Sequence, residues 1–201
     1  MIENCQITKA QQDINNIVYR GRILWRDIAT WLSTYLMVKT LQGEDVLLEQ
    51  IKNKLLRIVA EFESNIRTFF GDKAADDHIN LFSQYIMLMT TLIDATVEGN
   101  SGAADEIVKQ IYEIAGKRVE LLTEINPYWD QNTLENYIYT FNDMTIKEII
   151  AFTSKQHENS IRIYERVLSY STNLGDFIAQ GIKNYMIFSL EPPTTVERPD
   201  Y

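Results

Sequence analysis

The chain has a single cysteine, Cys5, so no disulfide can form within it. That excludes a disulfide-stapled secreted framework and favours a reducing, cytoplasmic setting. Only two histidines occur, His78 and His157, too few for the usual transition-metal ligand sets. Basic charge is also scarce: 19 Lys and Arg stand against 28 Asp and Glu, a net charge of −9. Duplex binding depends on a basic face that displaces counterions, so nucleic acid is not an expected partner. Long apolar runs are missing too. The most apolar stretch, Tyr85 to Ile93, is about half the roughly 20 residues of a membrane span, and Asp94 ends it. The N-terminal Met1-Ile2-Glu3-Asn4-Cys5-Gln6 lacks the basic start and apolar core of a signal peptide.

Named catalytic motifs are absent as well. No Glu-x-x-His occurs, which argues against a ferritin-like di-iron site. There is no His-Glu-x-x-His, no phosphate-binding Gly-x-x-x-x-Gly-Lys-Ser/Thr and no Gly-x-Ser-x-Gly. No metal and no cofactor is therefore expected, and an enzyme is the less favoured reading.

What the chain does have is helical periodicity. One stripe runs Ile17, Leu24, Ile28, Trp31, Tyr35, and a second Leu48, Ile51, Leu55, Ile58, Phe62, Ile66, Phe69. A third runs Ala75, Ile79, Phe82, Ile86, Met89, Ile93, and a fourth Ala104, Ile107, Ile111, Ile114, Val119, Leu122. Returns every three or four residues mark amphipathic helices with one buried face. Gln42 to Asp45, Phe70-Gly71-Asp72 and Glu98 to Gly102 separate the stripes, with Asp72 and Ser101 as expected N-caps. Asn126-Pro127 breaks the fourth helix. A short fifth helix is expected over 133–141. Thr145-Ile146-Lys147-Glu148 reads as a capping box opening a long sixth helix, whose stripe would carry Ile146, Ile150, Thr153, His157 and Ile161. Asn173 and Gly175 would interrupt it before a last helix with Phe177, Ile178, Ile182 and Tyr185. These readings give an all-α, antiparallel helical bundle, of four-helix or ferritin-like arrangement with extra short helices. One domain would span 1–190, and a proline-bearing tail, 191–201, would be extended or disordered.

Among single residues, Cys5 reads as an inert thiol and His78 as a partly exposed first-turn histidine beside Asp76 and Asp77. His157 reads as a core histidine, and Asp27 and Asp94 as solvated carboxylates in apolar windows. Most of the aromatic surplus, 11 Tyr, 8 Phe and 3 Trp, is expected in the core.

Leu24 to Trp31, Phe70-Gly71-Asp72 with Leu81 to Ile86, and Asn126 to Trp129 with Tyr139 to Thr145 together resemble a family of uncharacterised all-helical proteins of spore-forming bacteria. Leu24-Trp25-Arg26-Asp27-Ile28-Ala29-Thr30-Trp31 is similar to its Leu-Trp-Glu-x-His-x-x-Trp. Phe70-Gly71-Asp72 through Leu81-Phe82-Ser83-Gln84-Tyr85-Ile86 is similar to its Tyr-Gly-Glu…Leu-x-x-Glu-His-Ile. Asn126-Pro127-Tyr128-Trp129 and Tyr139 to Thr145 resemble its Asn-Pro-x-Trp and Tyr-Glu-His-Leu-x-Leu-Thr. The resemblance implies a helical bundle and carries no activity. Where it would place three histidines, this chain has Ile28, Tyr85 and Phe141, with Gln84 and Thr140 in place of the neighbouring glutamates.

Two functions follow as expectations. The first is a non-enzymatic bundle acting on a protein partner or its own copy. The second is a ligand-binding bundle with an apolar, aromatic pocket among Trp25, Ile28, Trp31, Tyr85, Tyr139 and Phe141.

Overall fold

A computed structural model describes residues 2–189; the expected tail, 191–201, lies outside them, as do the side chains of residues 1–15, Ile17, Val18 and Asn65. Five helical elements follow one another: α1 Ile2–Thr40, α2 Asp45–Val97, α3 Ser101–Ile125, α4 Gln131–Thr153 and α5 His157–Phe188. No strand occurs among the described residues. The fold is all-α and its helices pack on one another as a bundle. No helix among the described residues is long and apolar enough to cross a membrane.

The second element is two helices in one. Gly71 takes φ +86° and ψ 175°, a conformation that side-chain-bearing residues avoid, and the chain reverses there. Glu63 meets His78 and Lys52 meets Asp94 across the reversal, so the arms 45–70 and 72–97 run antiparallel. Arg67 clasps the turn from one side, reaching Asp72 at 2.5 Å and Asp76 at 2.6 Å.

Short connections set successive helices antiparallel, and α1 and α5 also run antiparallel, since Arg22 meets Asp176 and Arg26 meets Leu168. The α1–α5 seam is formed where Gly21 and Gly175 face each other; a Cβ on Gly175 would sit 2.5 Å from the Gly21 carbonyl oxygen. Gly175 is thus a helix-crossing residue inside an unbroken α5, not the interruption expected from its type. Trp129, just past the Asn126-Pro127 break, fills the space left by Gly181 and donates its indole N–H to the Ile178 carbonyl at 3.0 Å. That bond fastens the α3–α4 corner onto α5.

Three further expectations are corrected. Thr145 and Glu148 do not open a helix: α4 runs straight through them, Thr145 Oγ1 donates to the Phe141 carbonyl, and Glu148 is buried. No separate short helix over 133–141 exists. The break comes instead at Ser154–Gln156, where Lys155 adopts φ +61°. At the fourth stripe the cap is Asn100, whose side chain accepts from the Ala103 amide, and Ser101 is the first helical residue.

Candidate functional site

The core is lined chiefly by Leu, Ile and aromatic side chains, as the stripes require. Against that background, a group of buried polar residues stands out around the Phe82 ring. Trp25 comes from α1, Glu63 from the first arm of α2, His78 and Tyr85 from the second, Arg118 from α3 and Asn142 from α4. None of the six is more than 2 % exposed.

Glu63 and His78 form a dyad, with Oε1 to Nδ1 at 2.6 Å. A carboxylate at Glu63 accepts the Nδ1–H, which leaves Nε2 as the lone-pair nitrogen. Burial lowers the His78 pKa, outweighing the Glu63 hydrogen bond and charge that raise it, so the ring is neutral near pH 7. Arg118 lays its guanidinium over the Phe82 face at 3.6 Å from the ring centroid, with the Tyr85 ring at 5.4 Å and Trp25 at 5.6 Å. Burial pulls its pKa to about 10, against the opposing influence of Tyr85 and Glu63, so it still carries a full charge at neutral pH. Tyr85 donates its hydroxyl to Asn142 Oδ1 at 2.8 Å.

These residues leave much of their hydrogen-bonding capacity unused. Trp25 Nε1, Glu63 Oε2, His78 Nε2, Arg118 Nε, Arg118 Nη1 and Asn142 Nδ2 are buried with no partner among the described residues. An unpaired buried polar atom costs about 1–3 kcal/mol, so six would cost roughly 6–18 kcal/mol. That is comparable with the entire stability of an ordinary domain, about 5–15 kcal/mol. Polar groups of this kind are the ones that ordered water or a bound polar molecule satisfies. Four of the atoms are donors, and one donor group is a cation held by aromatic faces rather than by a carboxylate hydrogen bond. Metal chemistry suits the set poorly: no group of three or more His, Cys, Asp or Glu gathers among the described residues, and the guanidinium would repel a cation.

The residues nominated from the sequence fall into two groups. Trp25, Tyr85 and Phe141 belong to this cluster: Trp25 meets Phe141 edge-on at 5.3 Å and Phe82 at 5.5 Å. Ile28 is fully buried one helical turn beyond Trp25. Trp31 is only partly buried, and Tyr139 stands apart against Tyr112 at 5.2 Å on the α3–α4 face. His78 is the opposite of the partly exposed first-turn residue expected, being wholly enclosed by its hairpin partner Glu63 and by Phe62. His157 is no core residue; the break at Lys155 places it at the exposed start of α5, edge-on to Phe152. Asp27 is half-buried, while Asp94 accepts from the Tyr35 hydroxyl at 2.9 Å and lies near Lys39 and Lys52. Cys5 lies outside the described side chains.

Glu63, Arg118 and Asn142 were not nominated, although two of them left a trace. Glu63 continues the Leu55, Val59, Ile66 spacing, and Arg118 falls in the run Ile111, Ile114, Ala115, Val119, Leu122. A charge on the buried face of an amphipathic helix is the signal that would have found them.

Comparisons of the chain with family models, with curated proteins and with solved structures returned no match, so the functional reading rests on the chemistry of this cluster.

Proposed function

We propose that the protein binds a small polar molecule inside the bundle, between Trp25, Glu63, His78, Arg118 and Asn142. The observation that carries this reading is the six unpartnered polar atoms, contributed by five buried side chains from α1, both arms of α2, α3 and α4. A core that served packing alone would gain by replacing Arg118 with an apolar residue of similar volume, because buried charges are often neutral or costly for stability. Keeping the charge at that cost fits a site that trades stability for binding.

The test is thermal denaturation of wild type and Arg118→Met against a chemically varied library of small acids, amides, phosphates and amines. At least one compound should raise the wild-type midpoint and leave the variant unmoved, with the unliganded variant as stable as wild type or more so. If no compound distinguishes the two proteins, the cluster is interior packing and the reading falls.

A second reading, association with a protein partner or a second copy, draws on the opposite end of the surface chemistry. Leu41, Val46 and Leu47 are exposed at the α1–α2 corner, at the end of the bundle that the Lys39–Glu98 bridge ties to the start of α3. A groove of about 250 Å³ lies between α2, α3 and α4, lined by Leu92, Val108, Ile146, Ile149 and Ile150. Sedimentation equilibrium of wild type and Val46→Asp would show a concentration-dependent mass in the former alone if this end self-associates.

A further inference from the structure

The charges and donors of the cluster narrow what it can receive. Arg118 brings one positive charge and Glu63 one negative charge, while His78 is neutral. The unpartnered donors, Trp25 Nε1–H, two N–H groups of Arg118 and one of Asn142, outnumber the acceptors, Glu63 Oε2 and His78 Nε2. A guest rich in acceptors is favoured, and the uncovered guanidinium favours one that is negatively charged. A monoanion, however, would leave the buried cluster with one uncompensated negative charge, which an interior of low dielectric resists.

One group can correct that. We infer that the guest is a small carboxylate, and that it enters together with one proton from solvent, which settles on His78 Nε2. This rests on the ligand-binding reading above. Protonation turns Nε2 from a spare acceptor into a fifth donor and makes the enclosed set neutral: Arg118 and His78 positive, Glu63 and the guest negative. The Glu63 carboxylate at Nδ1 is placed to stabilise the imidazolium. Of the other side chains in the cluster only Glu63 could take that proton instead, in which case His78→Gln would keep the proton uptake. Glu63 and Tyr85 flank His78 from α2 and Arg118 from α3, while α1 and α4 contribute Trp25 and Asn142, which do not titrate. Only one proton is taken up, so a monoanion fits and the phosphate dianion does not.

Isothermal titration calorimetry with acetate, acetamide and inorganic phosphate tests this, run at pH 6.5 to 8.0 in buffers of different ionisation enthalpy. Acetate should bind with an uptake approaching one proton, and its affinity should fall up to tenfold per pH unit as pH rises. His78→Gln, which keeps a donor toward Glu63, should bind acetate with no proton uptake and no pH dependence over that range; Arg118→Met should not bind it. Binding of acetamide or phosphate in preference to acetate would overturn the carboxylate inference while upholding a ligand site. Acetate binding without proton uptake in wild type would overturn the coupling to His78. Failure of all three probes would overturn the inference, and the library comparison of wild type with Arg118→Met then decides the broader reading separately.

Discussion

Glu148 offers a prediction whose sign and size both come from its surroundings. Its carboxyl lies buried between α4 and α1, with Ser33 Oγ donating to Oε1 at 2.7 Å as its one hydrogen bond among the described residues. Burial raises its pKa from the ordinary 4.5 to about 7, partly opposed by the Ser33 hydrogen bond. In the unfolded chain Glu148 ionises near its ordinary value, whereas in the fold it keeps its proton until about pH 7. Between those values the folded state holds more protons, so stability falls as pH rises across the window and levels off above it. A difference of this size is worth roughly 3 kcal/mol. Glu148→Gln keeps an acceptor for Ser33 and removes the titration. The variant should match wild type within about 0.5 kcal/mol at pH 4.5 and exceed it by roughly 3 kcal/mol at pH 8.5, a midpoint rise of about 6–12 °C for a domain of this size. Urea unfolding followed by circular dichroism at several pH values measures the difference, and other titrating groups cancel between the two proteins. A stability difference that does not change with pH, or a variant less stable than wild type at pH 8.5, would refute the reasoning.

Gly175→Ala should lower stability by about 1–3 kcal/mol, because its Cβ would press on the Gly21 carbonyl and force the α1–α5 seam apart; chemical denaturation measures the loss. Gly71→Ala meets no neighbouring atom, so any loss, about 1–2 kcal/mol, reports backbone strain at positive φ alone. Tyr85→Phe strips Asn142 Oδ1 of its donor and should cost about 1–2 kcal/mol, without changing the helix content seen by circular dichroism.

Where a residue acts through its own backbone, the sequence was easy to read. Gly71, the Glu98–Gly102 loop and Asn126-Pro127 all punctuate the chain where expected, since glycine and proline impose their geometry locally. Errors arose where the same residue types answer to distant neighbours. Gly175 is small because another helix passes within touching distance, and Thr145 and Glu148 mimic a cap while occupying the middle of α4. The turn at Lys155 has neither glycine nor proline to announce it. The site divides in the same way. Trp25, Tyr85 and Phe141 were reached through patterned segments, but the pairing of Glu63 with His78 depends on a hairpin that brings two separate stripes together, and Arg118 shows itself only as a charge on the apolar face of α3.

The reversal at Gly71 also bears on how the polar cluster comes to exist during folding. Glu63 and His78 are only 15 residues apart, so their contact closes a short loop with a small entropic cost. Each lies about two helical turns from the apex, on helices that form quickly. The dyad can therefore be set before the terminal helices α1 and α5 meet, an event that must join Gly21 to Gly175 across most of the chain. Loop-closure entropy thus favours a staged burial, in which a hairpin bearing an acid and a base assembles while water still reaches it. The later docking of α1, α3 and α4 then closes over chemistry already in position.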